Sequence, residues 1–234
     1  MNGLFHLGDA MFLTRVFSPA LLVFCAFVYS ASAQAELEFR FYTGIQGASD
    51  SRVEGDDPDG AGKFNFNAGW KGDSLNRKPP YYGLALTWWR EDDWGASLDF
   101  THAKVYADDK TLRKSGFKVL EFSDGLNLLM LNALRRFPAV MPGYAPYVGA
   151  GAGLAIPHVE VQTSEGSRET FEYQAAGPAV QLMGGVSYPL STHWAVFTDF
   201  RVSYSQNTVR LEGGGELRTN IVTNALNFGV GYRF

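Results

Sequence analysis

The chain has 234 residues, a formal net charge of −4 and one cysteine. This mildly acidic balance, without a basic stripe, argues against a nucleic-acid partner, and one cysteine can form neither an intrachain disulfide nor a thiolate metal cluster. Aromatic residues make up 15% of the sequence and glycine occupies 26 positions, which is typical of short-stranded all-β proteins.

Residues 1–35 have the pattern of a cleaved secretory signal peptide. Arg15 precedes the apolar run 16–30, and small residues up to Ala35 suit a cleavage site. The apolar run is shorter than the roughly 20 residues of a spanning helix, so a permanent membrane anchor is the less favoured alternative. We therefore predict export, followed by a single domain at 36–234.

Apolar and polar residues alternate with a period of two along this domain. In the first segment, for example, Leu37 and Phe39 share one face while Glu38 and Arg40 share the other. Such alternation predicts strands with one apolar face and one polar or small face. The eight segments with this pattern are 36–46, 80–90, 94–106, 126–137, 144–156, 179–188, 194–204 and 223–234.

The connections between these segments favour an outer-membrane barrel over a soluble sandwich. Short connections at 91–93, 138–143 and 189–193 alternate with longer ones. Short turns at the periplasmic end and long loops at the other end are typical of such barrels. An even strand number requires 48–79 to be one long first extracellular loop, in which the strand-like stretch 63–72 forms a short hairpin. The sequence thus predicts an all-β, eight-stranded antiparallel transmembrane β-barrel, located in the bacterial outer membrane.

Aromatic residues lie beside the predicted periplasmic ends of the strands, on the apolar face. This placement is typical of an interfacial girdle, which a soluble sandwich does not need. The chain ends on an aromatic residue, the feature that the barrel-assembly machinery recognises in outer-membrane proteins, so this machinery is an expected partner during biogenesis. The girdle residues are Trp88, Trp94, Tyr188, Trp194, Tyr232 and Phe234.

The interior of an eight-stranded barrel is filled by side chains, so a general porin is not predicted. Ionisable residues on the inward faces must pair, because an isolated buried charge costs several kcal/mol. We interpret them as a structural salt-bridge network, with a proton or ion path as the alternative. The network is predicted from Arg40, Asp99, Arg135, Asp199 and Arg201.

The outer half contains candidates for chemistry. His102, His158 and Glu160 are predicted as catalytic residues and as ligands of a divalent metal, since imidazole and carboxylate suit iron, manganese or zinc. Their spacing carries no metal signature, and ordinary rim residues are the alternative. The acidic stretch 54–60 lacks the twelfth-position glutamate of an EF-hand, so we interpret it as a solvated loop. No serine–histidine pair for outer-leaflet acyl transfer is present.

Several blocks resemble the outer-membrane lipid A oxidases of rhizobia and related alphaproteobacteria. The more specific ones are "DFTHAKVY" (99–106), "LEFSDGLN" (120–127) and "AIPHVEVQ" (155–162). The resemblance implies oxygen-dependent oxidation of the proximal glucosamine of lipid A to a 2-aminogluconate unit, with hydrogen peroxide as by-product. The family supplies no catalytic motif that transfers residue by residue.

This chemistry has to fit a barrel that has no room for flavin or haem and no glycine-rich nucleotide loop. We therefore expect no flavin, haem or nicotinamide cofactor. A divalent metal ion is the cofactor that the resemblance favours. Lys104, Lys114 and Lys118 are expected to meet the phosphates of lipid A in outer-leaflet lipopolysaccharide. The alternative function is a non-enzymatic structural or adhesive barrel of the OmpA type that binds lipopolysaccharide, and in either case we expect a monomer.

Overall fold

The computed structural model describes residues 36–72 and 80–234, so the predicted signal peptide lies outside the described residues. In the described part, no helix is long and apolar enough to cross a membrane. The strands and the one helix of this part are β1 (Glu36–Ala48), β2 (Ser51–Asp57), β3 (Gly62–Ala68), β4 (Trp70–Lys71), β5 (Tyr82–Trp89), β6 (Trp94–Ala107), α1 (Asp109–Ser115), β7 (Phe117–Arg136), β8 (Ala145–Thr163), β9 (Glu169–Tyr173), β10 (Gly177–Pro189), β11 (Trp194–Arg210) and β12 (Glu216–Arg233).

Eight of these strands close into a ring. The order is β1, β5, β6, β7, β8, β10, β11 and β12, each antiparallel to the next, and β1 pairs with β12 to complete the circle. The connections 90–93, 137–144 and 190–193 lie at the end of the ring where β1 begins and β12 ends. Short turns are typical of the periplasmic end, so we name the two ends periplasmic and extracellular. The predicted eight-stranded antiparallel barrel is confirmed.

The remaining strands extend the wall at the extracellular end. Beyond β1, strand β2 pairs with the start of β12, and β3 pairs with β2 to form a hairpin within the predicted first loop 48–79. Strand β4 pairs with β6, and β9 pairs with β8. Because β7 and β8 have 20 and 19 residues, against the roughly 10 that cross a membrane, the wall continues well beyond the lipid.

The alternation of the sequence separates the lumen from the lipid face. In β1, Glu38, Arg40 and Tyr42 are buried, whereas Phe39 and Phe41 are 41% and 44% exposed. Outward apolar side chains of this kind cover the wall and suit contact with acyl chains. At the periplasmic end, exposed aromatic residues come from several elements, namely Trp94, Phe137, Tyr144, Tyr188, Trp194 and Phe234.

In the extracellular half of the barrel, apolar side chains fill the interior. Residues of β2, β4, β7 and β12 contribute to one buried cluster, and the β2–β3 hairpin adds aromatic rings to it. The ring of Phe64 packs edge-on against Phe117 with centroids 5.1 Å apart, and Phe66 lies 5.6 Å from the same ring. The interior at this end therefore resembles the core of a soluble domain.

In the periplasmic half, the lumen is charged, and Arg201 is its central residue. Its guanidinium nitrogens lie 2.7 Å from Asp99 and 2.9 Å from Asp199, and Nη1 also donates to the Tyr42 hydroxyl at 2.7 Å. The Tyr147 hydroxyl donates to Asp199 at 2.8 Å. All of these groups are buried, so the cost of removing charge from water is offset by complete pairing.

A second pair lies nearer the periplasmic rim. Arg40 contacts Glu38 at 2.8 Å, and the indole of Trp89 donates to the same carboxylate at 2.9 Å. The Arg40 guanidinium lies 4.9 Å and 4.8 Å from the ring centroids of Tyr147 and Phe197, which is cation–π distance. These side chains fill the lumen at this level.

The structure corrects one member of the predicted network. Arg135 pairs with Trp94 across β6 and β7 and therefore lies on the lipid-facing side, because paired residues share a face. Its guanidinium lies 5.5 Å from the Trp94 ring centroid and donates to the Asp92 carbonyl. Arg135 is thus a residue of the periplasmic rim. Its register was ambiguous in the sequence because 126–137 is apolar on both faces.

Candidate functional site

The outer-half candidates lie on the outside of the barrel wall. His102 on β6 pairs with Tyr82 on β5 and with Asn127 on β7. Its neighbour Thr101 points into the lumen and bonds to the Tyr42 hydroxyl, so the alternation turns His102 outward. The neighbours of His102 nevertheless cover it, leaving only 4% exposed.

The contacts of His102 fix its orientation. Nδ1 lies 2.8 Å from Oδ1 of Asn127, and the ring stacks on Tyr82 at 5.1 Å between centroids with an interplanar angle of 22°. The Asn127 amide nitrogen donates to the carbonyls of Asp124 and Ile156, which leaves its oxygen to accept from the histidine. These bonds assign the hydrogen to Nδ1 and the lone pair to Nε2.

The Nε2 atom of His102 is buried and has no hydrogen-bond partner among the described residues. A buried polar atom without a partner costs free energy, so native structures retain few of them. Here the unpaired atom is a basic nitrogen held rigidly by the bond at the other side of the ring. Such an atom can accept a proton or a hydrogen bond from a bound molecule.

Gly125 makes this close packing possible. Its φ is +99°, and a Cβ atom at this position would lie 2.5 Å from ring atoms of His102. No other residue type combines this backbone conformation with so close an approach. The glycine therefore belongs to the site even though it contributes no functional group.

The hydrogen-bond ladders on both edges of β6 are irregular just after His102. The pairing with β7 shifts register between Ala103 and Val105. On the opposite edge, beyond the end of β5, the Gln46 side chain donates to the Lys104 carbonyl at 3.0 Å and accepts from its N–H at 2.9 Å. Irregular ladders of this kind re-aim side chains and are common beside active sites.

Tyr173 on β9 completes the group. Partial burial, the Asp124 carboxylate and the Tyr82 phenol together raise its pKa above the ordinary value, because each disfavours a negative charge on the hydroxyl. We refer to the group Tyr82, His102, Asp124, Asn127 and Tyr173 as the outer cluster.

The outer cluster lies near the extracellular boundary of the apolar band. Along β6, His102 follows eight residues after the periplasmic girdle residue Trp94. A strand that rises about 3.4 Å per residue with a tilt of about 40° places His102 about 20 Å above that girdle. The apolar band of such barrels is about 25 Å tall, so the cluster lies near its upper boundary.

The predicted three-ligand metal site is not formed. Strand β7 lies between His102 on β6 and the other two residues on β8, and neighbouring strands are about 4.8 Å apart. His158 is instead packed between aromatic rings, and Glu160 pairs with Glu121 and Phe171. Among residues 36–72 and 80–234, no group of three histidine, cysteine or acidic residues could hold a metal ion.

The three lysines predicted to meet phosphates lie in different elements. Lys104 follows His102 on β6 and is only 6% exposed. Lys114 lies in the last turn of α1, and Lys118 is an exposed residue near the start of β7. Their contact with phosphate stays a prediction.

The acidic stretch 54–60 holds the loop between β8 and β9 in place through hydrogen bonds of Asp59. Asp59 accepts from the backbone N–H groups of Ser167 and Arg168 at 2.8 Å and 2.9 Å. Desolvation raises the pKa of Asp59, but these hydrogen bonds outweigh it and hold the pKa below its ordinary value. This carboxylate thus has a structural partner within the protein.

Sequence reasoning predicted His102 as a site residue but not the residues that orient it. Tyr82, Gly125 and Asn127 were not predicted as site residues, although the last two lie in the block 120–127 that was singled out by resemblance. Their role depends on the pairing of β5, β6 and β7 and on the irregular ladder at Ala103, neither of which has a local signature.

A closed ring with an apolar outside, a filled lumen and an aromatic periplasmic rim defines the class of outer-membrane β-barrel proteins. The model of the family described as "Outer membrane protein beta-barrel domain" matches residues 20–234, and the chain belongs to this family. It is therefore located in the bacterial outer membrane.

Solved structures of small outer-membrane barrels are similar to the chain. Neisserial surface protein A is 15% identical with a TM-score of 0.48, covering 86% of this chain and 100% of its own. Ail, the attachment invasion locus protein of Yersinia pestis, is 14% identical with a TM-score of 0.41 and the same coverage. The N-terminal barrel domain of Pseudomonas aeruginosa OprF is 15% identical with a TM-score of 0.40, again with the same coverage. No curated protein is significantly similar in sequence.

Proposed function

We propose that this barrel binds lipid A against the outside of its wall and oxidises the proximal glucosamine to a 2-aminogluconate unit, with molecular oxygen as the oxidant. The observation that carries the proposal is the outer cluster, where a buried imidazole nitrogen without a partner among the described residues lies near the extracellular boundary of the apolar band. A lumen filled by paired charges and apolar side chains argues against transport as the main role.

The resemblance to lipid A oxidases supports the same location. The blocks 99–106, 120–127 and 155–162 lie on β6, β7 and β8, which are neighbours in the ring. They contain His102, Asn127 and the Ile156 carbonyl that positions Asn127. The three blocks thus contribute to one site.

The reaction assigns one role to His102. The substrate is lipid A whose C1 hydroxyl carries no phosphate: Nε2 of His102 accepts the proton of this hydroxyl, while C1 loses its hydrogen together with two electrons. Molecular oxygen takes up the two electrons and two protons and leaves as hydrogen peroxide, and the lactone that forms adds water to give the acid. General-base catalysis of this kind contributes about 10²- to 10⁴-fold. Since His102, His158 and Glu160 do not form a metal site, no step is assigned to a metal.

Asn127 and Tyr82 act as positioning residues for this base. The Asn127 oxygen holds the hydrogen on Nδ1, and the stacked Tyr82 ring restricts rotation of the imidazole. Because the base is fixed before the substrate binds, little reorganisation is needed during the proton transfer.

The test compares lipid A from aerated cells that lack the gene, that carry the wild-type gene, and that carry His102→Gln at equal barrel levels. We expect the mass of the proximal sugar to increase by one oxygen atom only with the wild-type protein. An unchanged sugar in the presence of the folded wild-type barrel would overturn the oxidase proposal. It would favour the second candidate, a structural barrel that binds lipopolysaccharide, for which the exposed Tyr173 of the outer cluster is the supporting observation.

A further inference from the structure

Beyond the apolar band, the strongly exposed aromatic side chains of the described part are confined to β9. Phe171 and Tyr173 are 61% and 58% exposed. The periplasmic rim differs, because its exposed aromatics come from several elements around the ring. An interfacial girdle follows the circumference of a barrel. The extracellular pair is instead a local patch, and it shares Tyr173 with the outer cluster.

The two rings are held in fixed positions. Tyr173 pairs with His158 across β8 and β9, and Phe171 pairs with Glu160. The centroid of the His158 ring lies 4.4 Å from that of Phe171, with an angle of 83° between the ring planes. The corresponding values for His158 and Tyr173 are 4.7 Å and 69°. His158 is only 4% exposed, so it supports both rings from below while they remain open to the outside.

Hydrogen bonds to residues 210 and 212 hold the edge of β9 that does not pair with β8. The side chain of Gln174 donates to the Arg210 carbonyl at 2.9 Å and accepts from its N–H at 2.8 Å. The Glu212 N–H donates to the Thr170 hydroxyl at 2.9 Å. A strand tied on both edges loses little additional entropy when a ligand binds, which favours affinity.

We propose that Phe171 and Tyr173 form a stacking platform for a pyranose ring of the lipid A headgroup, next to the sugar that reaches His102. This inference rests on the proposed function and deepens it by assigning a specificity site. A pyranose offers an apolar C–H face to an aromatic ring and hydroxyl groups to its surroundings. Glu160 and Glu169 occupy the same outward face of β8 and β9 and can accept from such hydroxyls.

The other parts of a lipid A molecule suit this patch less well. Acyl chains are accommodated by the apolar band below it, and a phosphate would meet the negative charges of Glu160 and Glu169. A neutral sugar face is the group that matches two exposed rings flanked by carboxylates. His158, predicted from the sequence as a catalytic residue, is on this basis a support for the platform.

The experiment measures binding by isothermal titration, without oxygen, to the purified full-length barrel in detergent. The probes are hexa-acylated lipid A and phosphatidylglycerol, an anionic lipid without a sugar ring. The double variant Phe171→Leu/Tyr173→Leu keeps the patch apolar but removes the aromatic faces. Tyr204→Leu, which changes an outward tyrosine on β11, is the matched control. Heat-modifiable migration on a gel verifies that each variant is folded.

We expect the double variant to bind lipid A about tenfold more weakly, which corresponds to about 1.4 kcal/mol, and to bind phosphatidylglycerol as the wild type does. Equal losses for both lipids would overturn the platform in favour of a general interfacial girdle, and unchanged lipid A binding would overturn it as well. The proposed function fails separately: a wild-type barrel that binds lipid A through the platform but never oxidises it would contradict the enzyme and leave the platform intact.

Discussion

The Arg201 network of the lumen and the outer cluster both bury polar groups, but they differ in how completely those groups are paired. In the lumen, Arg201 contacts two carboxylates and a phenol, and Asp199 also accepts from Tyr147. On the outer face, His102 has one bonded ring nitrogen, while the other is buried and has no partner in the described chain. Unpaired buried atoms also occur in the lumen, for example Glu38 Oε1 and Asn132 Nδ2. His102 differs from these because its unpaired atom is a basic nitrogen on the outer face, which can accept a proton from a bound molecule.

The largest effect is expected from Arg201→Met. Removal of the guanidinium leaves Asp99 and Asp199 buried without their charged partner, which costs about 3–5 kcal/mol of the free energy of unfolding. Denaturant unfolding in lipid vesicles, followed by tryptophan fluorescence, measures this loss. The triple variant with Asp99→Asn and Asp199→Asn should recover most of it. A single variant as stable as the wild type would contradict the structural role of the network.

Next in size is the loss of activity in His102→Gln. We expect the rate of lipid A oxidation to fall about 10²- to 10⁴-fold, because the base is removed while the shape of the side chain is largely kept. The barrel should unfold at the wild-type denaturant concentration. His193→Gln, which changes an exposed histidine in a periplasmic turn, is the control and should retain full activity. A His102→Gln variant as active as the wild type would contradict the role of His102 as the base.

Gly125→Ala should produce a smaller, mixed effect. The added methyl would meet the His102 ring at 2.5 Å and place a side chain at a φ of +99°, a strain of about 1–3 kcal/mol. We expect lipid A oxidation to fall more than stability does, because the imidazole must move. Gly143→Ala, at a φ of +79° in a periplasmic turn with open space around it, is the matched control for backbone strain alone. Identical losses in both variants would show that displacement of His102 is not the cause.

The smallest effect concerns the solvated surface, where polar groups are neither buried nor unpaired. Asp108 caps α1, and hydrogen bonds from the side chain and backbone N–H of Thr111 hold its pKa below the ordinary value. A lowered carboxyl pKa stabilises the folded form above about pH 4, and this contribution is lost as the pH falls through the folded pKa. Hydrogen exchange at the Thr111 amide should therefore be less protected at pH 3 than at pH 6, once corrected for the intrinsic rate. In Asp108→Ala that difference should disappear, whereas Asp109→Ala should keep it.

The sequence predicted the barrel because strand alternation is a local pattern that each segment carries separately. Glu38, Arg40, Asp99 and Asp199 could be assigned to the lumen from this pattern alone. Arg135 could not, because its strand is apolar on both faces and only the pairing with β6 fixes the phase. Register that depends on a partner strand is invisible in one segment.

The outer cluster was predicted only in part for a related reason. The outward phase of His102 follows from alternation, but its bond to Asn127 follows from the pairing of β6 with β7. The separation of His102 from His158 and Glu160 likewise depends on strand order, which places β7 between them. The residue types that suit a metal thus led to a three-ligand site that the strand order does not form.

The most direct measurement follows lipid A in vesicles that contain the purified barrel, under air and in water enriched in a heavy oxygen isotope. The wild-type protein should add one heavy oxygen atom to the proximal sugar, since that atom comes from water after oxidation, and should release one hydrogen peroxide per sugar. His102→Gln should do neither at a comparable rate. Lipid A that keeps its mass with the folded wild-type barrel, or that is oxidised equally well by His102→Gln, would contradict the assignment of the outer cluster as the reaction site.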